Sequence, residues 1–495
     1  MSWMQRLRRG CRALPGQPAA RLAYGVVLVE DGRHRGAFRQ FARAAHRGLP
    51  AAQYRLGRCY LLGLGVPSSP DAALSWLMRA AEGGDHEAQA LLASLAMQGI
   101  SGADAGFLEA ASRYVGRPPD YQAALKWGTP AADGGSAEAQ AVLGYIMTSG
   151  PDELRDARRA AHYFRLAAEG GLAQGQLGWA LALLRGDAAP NEAPKNGPAE
   201  VHRLLTAAAG AGLPAAHFTL GLLAEHAEVG AGRLAVATAH YRDAAERGHR
   251  TAQFRYGAAL LNGRGVARDR QAGETWLRRA GLAGDAVAAA TVGNLYANQD
   301  GLPPNFSEAA TWFKRAAEAG HVGSARALGQ IYLHGVGFGT DPATAVHWLR
   351  VAANADDTLA AHELAICLAH GIGTTRDDTE ALQWFHRAVD AMPSARYWYA
   401  RMLSEGRGIA QDLQAARTGF LRAAAEGSGD AAVAAGEMLV NGRGGPADRP
   451  AAMALFTNLA NQGHKGAQYA LSVLEPTRGA DTSFQPAESV TQVAA

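Results

Sequence analysis

Most of the features that mark a function class are scarce in this sequence. Its three cysteines, Cys11, Cys59 and Cys367, stand far apart in 495 residues with no C-x-x-C spacing. Neither a disulfide framework nor a zinc site is therefore expected, and a reducing compartment fits best. No run approaches the roughly 18 apolar residues that cross a bilayer, the longest near the start being Gly25 to Val29. The charge of 48 basic against 45 acidic residues is spread along the chain. That leaves no basic stripe to neutralise phosphates, and nucleic acid is not expected as a partner. Runs of Val, Ile, Thr and Phe that would pack as strands are few as well, so helix is the default reading.

Glycine, by contrast, is abundant at 60 residues, as is alanine. Aligning segments of the form A-x-x-x-L-G-x-x-Y places a small residue at Gly25, Gly57, Ala93, Gly144, Gly178, Gly221, Gly257, Gly293, Gly329, Ala365, Ala400 and Gly436. From Gly221 onward the step is 36 residues, with a single 35. About nineteen residues after each small position comes a slot held by Trp76, Trp127, Tyr163, Trp276, Trp312, Trp348, Trp384 or Phe420, while Gln40, Leu204, His240 and Leu455 fill it elsewhere. Such a period marks stacked units that cannot bury their apolar faces alone.

One unit shows the physics. Ala52, Leu56, Gly57 and Tyr60 fall on one face of a first helix, and Gly63 to Pro67 ends it. Ser69 or Asp71 can cap a second helix whose apolar face carries Ala73, Trp76, Leu77 and Ala80. Glycine inside a helix costs roughly 1 kcal/mol against alanine. Close approach of the slot aromatic from the second helix is the expected compensation, since a buried Trp removes on the order of 200 Å² from water. On this account Gly257→Leu is destabilising and the same change at Gly83 matters much less.

The motif A-x-x-x-L-G-x-x-Y-x-x-G-x-G-V…D-x-x-x-A-x-x-W-x-x-x-A-A-E-x-G resembles the Sel-one-like repeat family, a branch of the tetratricopeptide-like helical repeats. Residues 252–284 and 323–353 match it most closely. The resemblance implies an all-α fold, an α/α solenoid forming a right-handed superhelix of about twelve helix-turn-helix repeats over 21–474. It also implies binding of a protein or peptide, commonly as an adaptor in signalling or envelope assembly. Some secreted members carry a cysteine pair in each repeat and are linked to β-lactam binding or hydrolysis, but this chain has no such pairs. Irregular steps place insertions near 100–119 and 185–198, and residues 475–495 read as a disordered tail. A lone first helix, Ala467 to Leu471, closes the array.

The sharper chemical motifs fail. The run from His334 to Thr340 follows a helix rather than a strand, so it is a connector and not a phosphate loop. His362 and Glu363 begin a zinc-protease motif, but Ile366 stands where the second histidine belongs. Cys367 and His370 lack an orienting third group. The polar stripe Asn262, Asn298, His334, His370, Glu405 and Asn441 sits at helix ends, where such residues meet loose carbonyls or water. No catalytic, cofactor or metal residue is expected.

The reading is a non-enzymatic scaffold that holds a protein or peptide on the concave face lined by first helices, with no small-molecule substrate indicated. Candidate contacts lie one position after, or two before, the small residue in the more regular half: Arg255, Asn294, Gln330, Glu363, Arg401 and Glu437. An envelope-associated assembly or regulatory factor is the alternative, and a hydrolase the second. Arg6, Arg8, Arg9, Arg12 and Arg21 precede the first acid, Glu30, so residues 1–20 form a basic segment able to touch a membrane surface. Pro15 and Pro18 interrupt any secretory apolar region. The expected location is cytoplasmic, at most membrane-peripheral.

Overall fold

The computed structural model describes residues 17–98, 118–226, 231–298, 304–337 and 339–474, of which 231 and 232 by backbone alone. The expectations for the basic segment up to residue 16, for the insertion from 100 to 117 and for the tail from 475 fall outside them. Among the described residues there are 25 α-helices, one short 3-10 turn at Asp152–Leu154, and no strand. No helix among these residues is long and apolar enough to cross a membrane. The chain divides into two compact units, Met1–Ala252 and Gln253–Ala495.

The first unit holds six antiparallel pairs, from Pro18–Glu30 with His34–Ala45 to Pro214–His226 with Ala231–Glu246. Helix Arg250–Asn262, at the boundary, opens six more pairs, and the single helix Lys465–Leu474 closes the second unit. The fold is therefore the expected α/α solenoid, built from a repeated hydrogen-bond plan. In the second unit Asp269, Asn305, Asp341, Asp377, Asp412 and Asp448 each cap a second helix, accepting the amide three residues on. Such caps are worth about 1 kcal/mol apiece. The amide of each cap residue also returns to the preceding first helix, as in Asp269 to the Leu260 carbonyl at 3.0 Å and Asp377 to Leu368 at 3.0 Å. Ser69, by contrast, occupies its cap position without a side-chain bond.

The small-residue ladder does mark close approach, but of a different partner. A Cβ added at Gly293 would lie 2.6 Å from Phe313, at Gly329 2.6 Å from Leu349, and at Gly57 2.8 Å from Leu77. Each of these partners stands one residue beyond the slot. Consecutive helical residues point about 100° apart, so only one of the two can face the glycine. The slot tryptophan turns instead to the preceding pair: Trp312 lies 3.0 Å from where a Cβ on Gly281 would stand, and Trp76 packs edge-on to His46. Its outer face is covered by a cation, with Arg279 4.7 Å above Trp276 and Arg387 4.7 Å above Trp384. At Ala93 the sizes are exchanged, and the facing residue is Gly128.

Gly83 is also tighter than the sequence suggests, because a Cβ there would meet Pro50 at 2.8 Å. Gly210 is the better control, exposed at a helix end with nothing within 4 Å. Gly257→Ala would press on the Gly273 carbonyl at 2.9 Å, and is expected to cost about 1–3 kcal/mol. Gly210→Ala should be neutral or stabilising by up to about 1 kcal/mol. Equal urea midpoints for the two variants would refute this account of the ladder.

Candidate binding surface

First helices of successive pairs neighbour one another, as Ala137–Ser149 does His86–Met97 and Ala173–Arg185 in the first unit and Val322–His334 does Thr358–His370 in the second. In the first unit, helices His86–Met97, Ala137–Ser149 and Ala173–Arg185 share an open groove of about 630 Å³. Met97, Val142, Tyr145, Leu177, Leu181 and Leu213 give it a mainly apolar wall, and Tyr145 is 55% exposed. Val142 and Tyr145 stand two before and one after Gly144, the same register as the candidates named for the more regular half. Sequence reasoning missed them only by confining that register to the regular half.

Four of the candidates in the second unit fall into two groups. Gln330 donates to Glu363 Oε1 at 2.7 Å across neighbouring first helices. Burial pushes the Glu363 carboxyl up, against the pull of Gln330 and Arg326, and its second oxygen has no hydrogen-bond partner. Arg401 and Glu437 line one cleft of about 430 Å³ with Tyr397, Glu405, Asn441 and Arg443. There Arg401 donates to Glu405 at 2.8 Å and lies over the Trp398 ring at 5.1 Å. Burial raises the Glu437 carboxyl, with Arg443 opposing. Asn294 and Arg255 are exposed on helices Ala286–Ala297 and Arg250–Asn262.

Several polar groups elsewhere serve the fold. Asn262 and Asn441 donate to carbonyls one turn back, at 2.9 and 3.0 Å. Burial pushes the Cys367 thiol up to about 11, which keeps it protonated, and the His370 ring packs edge-on to Trp398. Among the described residues a single group has metal-like ligand geometry: His217, His240 and Asp243, with ligand atoms within 4.8 Å of one another. Local sequence spacing gave no sign of it, since the histidines are 23 residues apart on two helices. The available signal was a histidine, His240, in the aromatic slot.

Comparison with known proteins settles the family. The Sel1 repeat pattern matches residues 50–85, 111–136, 137–172, 251–285, 286–321, 323–357, 358–391, 393–428 and 429–464. The chain belongs to the Sel1 repeat family. The matches leave 173–250 uncovered, although the helix pairs of this Sel1 chain continue through that stretch. The chain is 31% identical over 210 residues to the chitin synthase regulator SKT5 of Saccharomyces cerevisiae, covering 41% of this chain and 28% of that protein. It is 26% identical over 260 residues to the uncharacterized protein NMB1327 of Neisseria meningitidis, covering 46% and 50%. It thus spans half or less of either relative. Among solved structures, c5321, a protective antigen of uropathogenic Escherichia coli with an SLR fold, aligns with a TM-score of 0.58 at 24% identity, over 88% of this chain and 90% of that one.

Proposed function

We propose that this Sel1 chain is a non-enzymatic interaction scaffold that seats a segment of a partner protein on its first helices. The observation that carries the reading is the groove around Tyr145. It is open, apolar and continuous across three helices, with an exposed aromatic in its wall. Tyrosine presents a large, stiff contact surface with a polar tip, and residues of this kind dominate binding energy at interfaces. The favoured ligand is a peptide segment with several apolar side chains, helical or extended. The Arg401–Glu437 cleft and the Gln330–Glu363 pair offer further, more polar contacts. The name of the yeast relative, a regulator of an enzyme, fits an adaptor role.

Peptides selected by display against the full chain provide the test, with affinities measured by calorimetry. Tyr145→Ala and Leu177→Ala should each weaken the selected peptides about tenfold to a hundredfold, with helix content unchanged. Arg401→Ala should leave groove binders unaffected. Peptides that bind both groove variants as tightly as the parent chain would overturn the assignment.

A further inference from the structure

The pair formed by Pro214–His226 and Ala231–Glu246 departs from the repeat where a tryptophan is usual. His240 occupies the slot, Asp243 follows one turn later on the same helix, and His217 faces them from the first helix. The two imidazole centroids are 5.9 Å apart, and Asp243 Oδ2 lies 3.9 Å from His217 Nδ1. Nδ1 of His240 and one ring nitrogen of His217 are buried without a hydrogen-bond partner, the other His217 nitrogen facing the Ala209 backbone.

A buried polar atom left unpaired costs about 1–3 kcal/mol. Two such atoms, one on each ring, converge here, at a position where an aromatic side chain would fill the space at no such cost. A coordinated cation would satisfy them. We propose that His217, His240 Nδ1 and Asp243 Oδ2 bind a first-row divalent cation of the zinc type, with water at the remaining position.

The surroundings favour zinc over the hard cations. Arg242 lies 3.5 Å from Asp243 Oδ1, which leaves Oδ2 as the oxygen turned toward His217. Arg247 donates to the Asp243 main-chain carbonyl at 2.7 Å. With Arg242 beside the one carboxylate and Arg247 on the same residue's main-chain carbonyl, the site has no excess negative charge to hold calcium or magnesium. Its affinity comes from the imidazoles, which suit zinc. Tetrahedral zinc holds its ligand atoms roughly 3.3 Å apart. The three groups must draw together slightly, within reach of side-chain rotation. Because the ligands come from both helices of one pair, occupancy fastens that pair.

The test uses the full chain stripped with EDTA, titrated with zinc chloride and separately with magnesium chloride. One equivalent of zinc should bind and raise the melting temperature, magnesium should do neither, and cobalt should give the visible bands of tetrahedral coordination. His217→Gln, His240→Trp, which restores the usual slot residue, and Asp243→Asn should each weaken that equivalent at least tenfold. They should also lose the thermal shift and the cobalt bands while keeping their far-ultraviolet helix signal. Asp243→Asn, the smallest change, decides if a histidine variant fails to fold. Zinc uptake unchanged in the folded variants, or no zinc-specific uptake by the parent chain, overturns the proposal.

Discussion

Gly373→Ala is expected to lower the unfolding free energy of the second unit by roughly 3–4 kcal/mol, among the larger effects of a single substitution. Gly373 has φ +69°, in the left-handed region, and a Cβ there would be driven into the Pro342 carbonyl of the preceding repeat. Two costs therefore add. The left-handed backbone alone costs a non-glycine residue about 1–2 kcal/mol, and the collision is with backbone, which cannot rotate away. Gly320→Ala separates them. Gly320 has φ +89° with nothing within 4 Å of its would-be Cβ, so only the backbone cost of about 1 kcal/mol remains. Urea denaturation followed by tryptophan fluorescence reads both. Equal losses at the two sites would mean that the second glycine of the Gly-x-Gly turn is required for its conformation alone and not for contact between repeats. Gly408 against the Asp378 carbonyl and Gly444 against Leu413 repeat the geometry, so the effect should recur there.

The array was legible because its determinants are local and periodic. Small residues at a step of 36, Gly-x-Gly turns and capping aspartates each leave a mark at a fixed offset, and the helix pairs follow them even at Gly178 and Gly221, outside the matched repeats. What escaped depends on angles that spacing does not encode. Trp276 and Leu277 are both large and adjacent, and only helix phase decides that Leu277 meets Gly257 while Trp276 turns away. Gly83 looked like a free turn because Pro50, which crowds it, lies 33 residues earlier. The groove at Tyr145 lay in the half whose irregular steps obscured the register. Gln330 and Glu363, by contrast, stand 33 residues apart, close to one repeat, and did come together.

Acid should weaken the second unit more than its surface charges suggest, and His362 is the expected cause. Its ring lies within helix Thr358–His370, tilted against Phe385 at 5.6 Å, with Nδ1 buried and unpaired. Burial pushes its pKa down to about 4, whereas the unfolded chain titrates near 6.5. The unfolded state therefore binds the proton first. The stability tied to the neutral ring is fully present above about pH 6.5 and is lost as pH falls toward 4. A shift of this size corresponds to at most about 3 kcal/mol, and partial exposure of the ring brings the expected loss nearer 2 kcal/mol. His370 is lowered too, chiefly by burial, and adds in the same direction. Glu363 and Glu437 act oppositely, because burial raises their carboxyls and their protonation in acid favours the folded state. The parent chain alone thus reports a sum. His362→Leu isolates the contribution of the ring: its urea midpoint should fall much less than that of the parent between pH 6.5 and 4.5, so that the two curves converge in acid. Parallel curves would show that the imidazole takes up its proton without leaving the core.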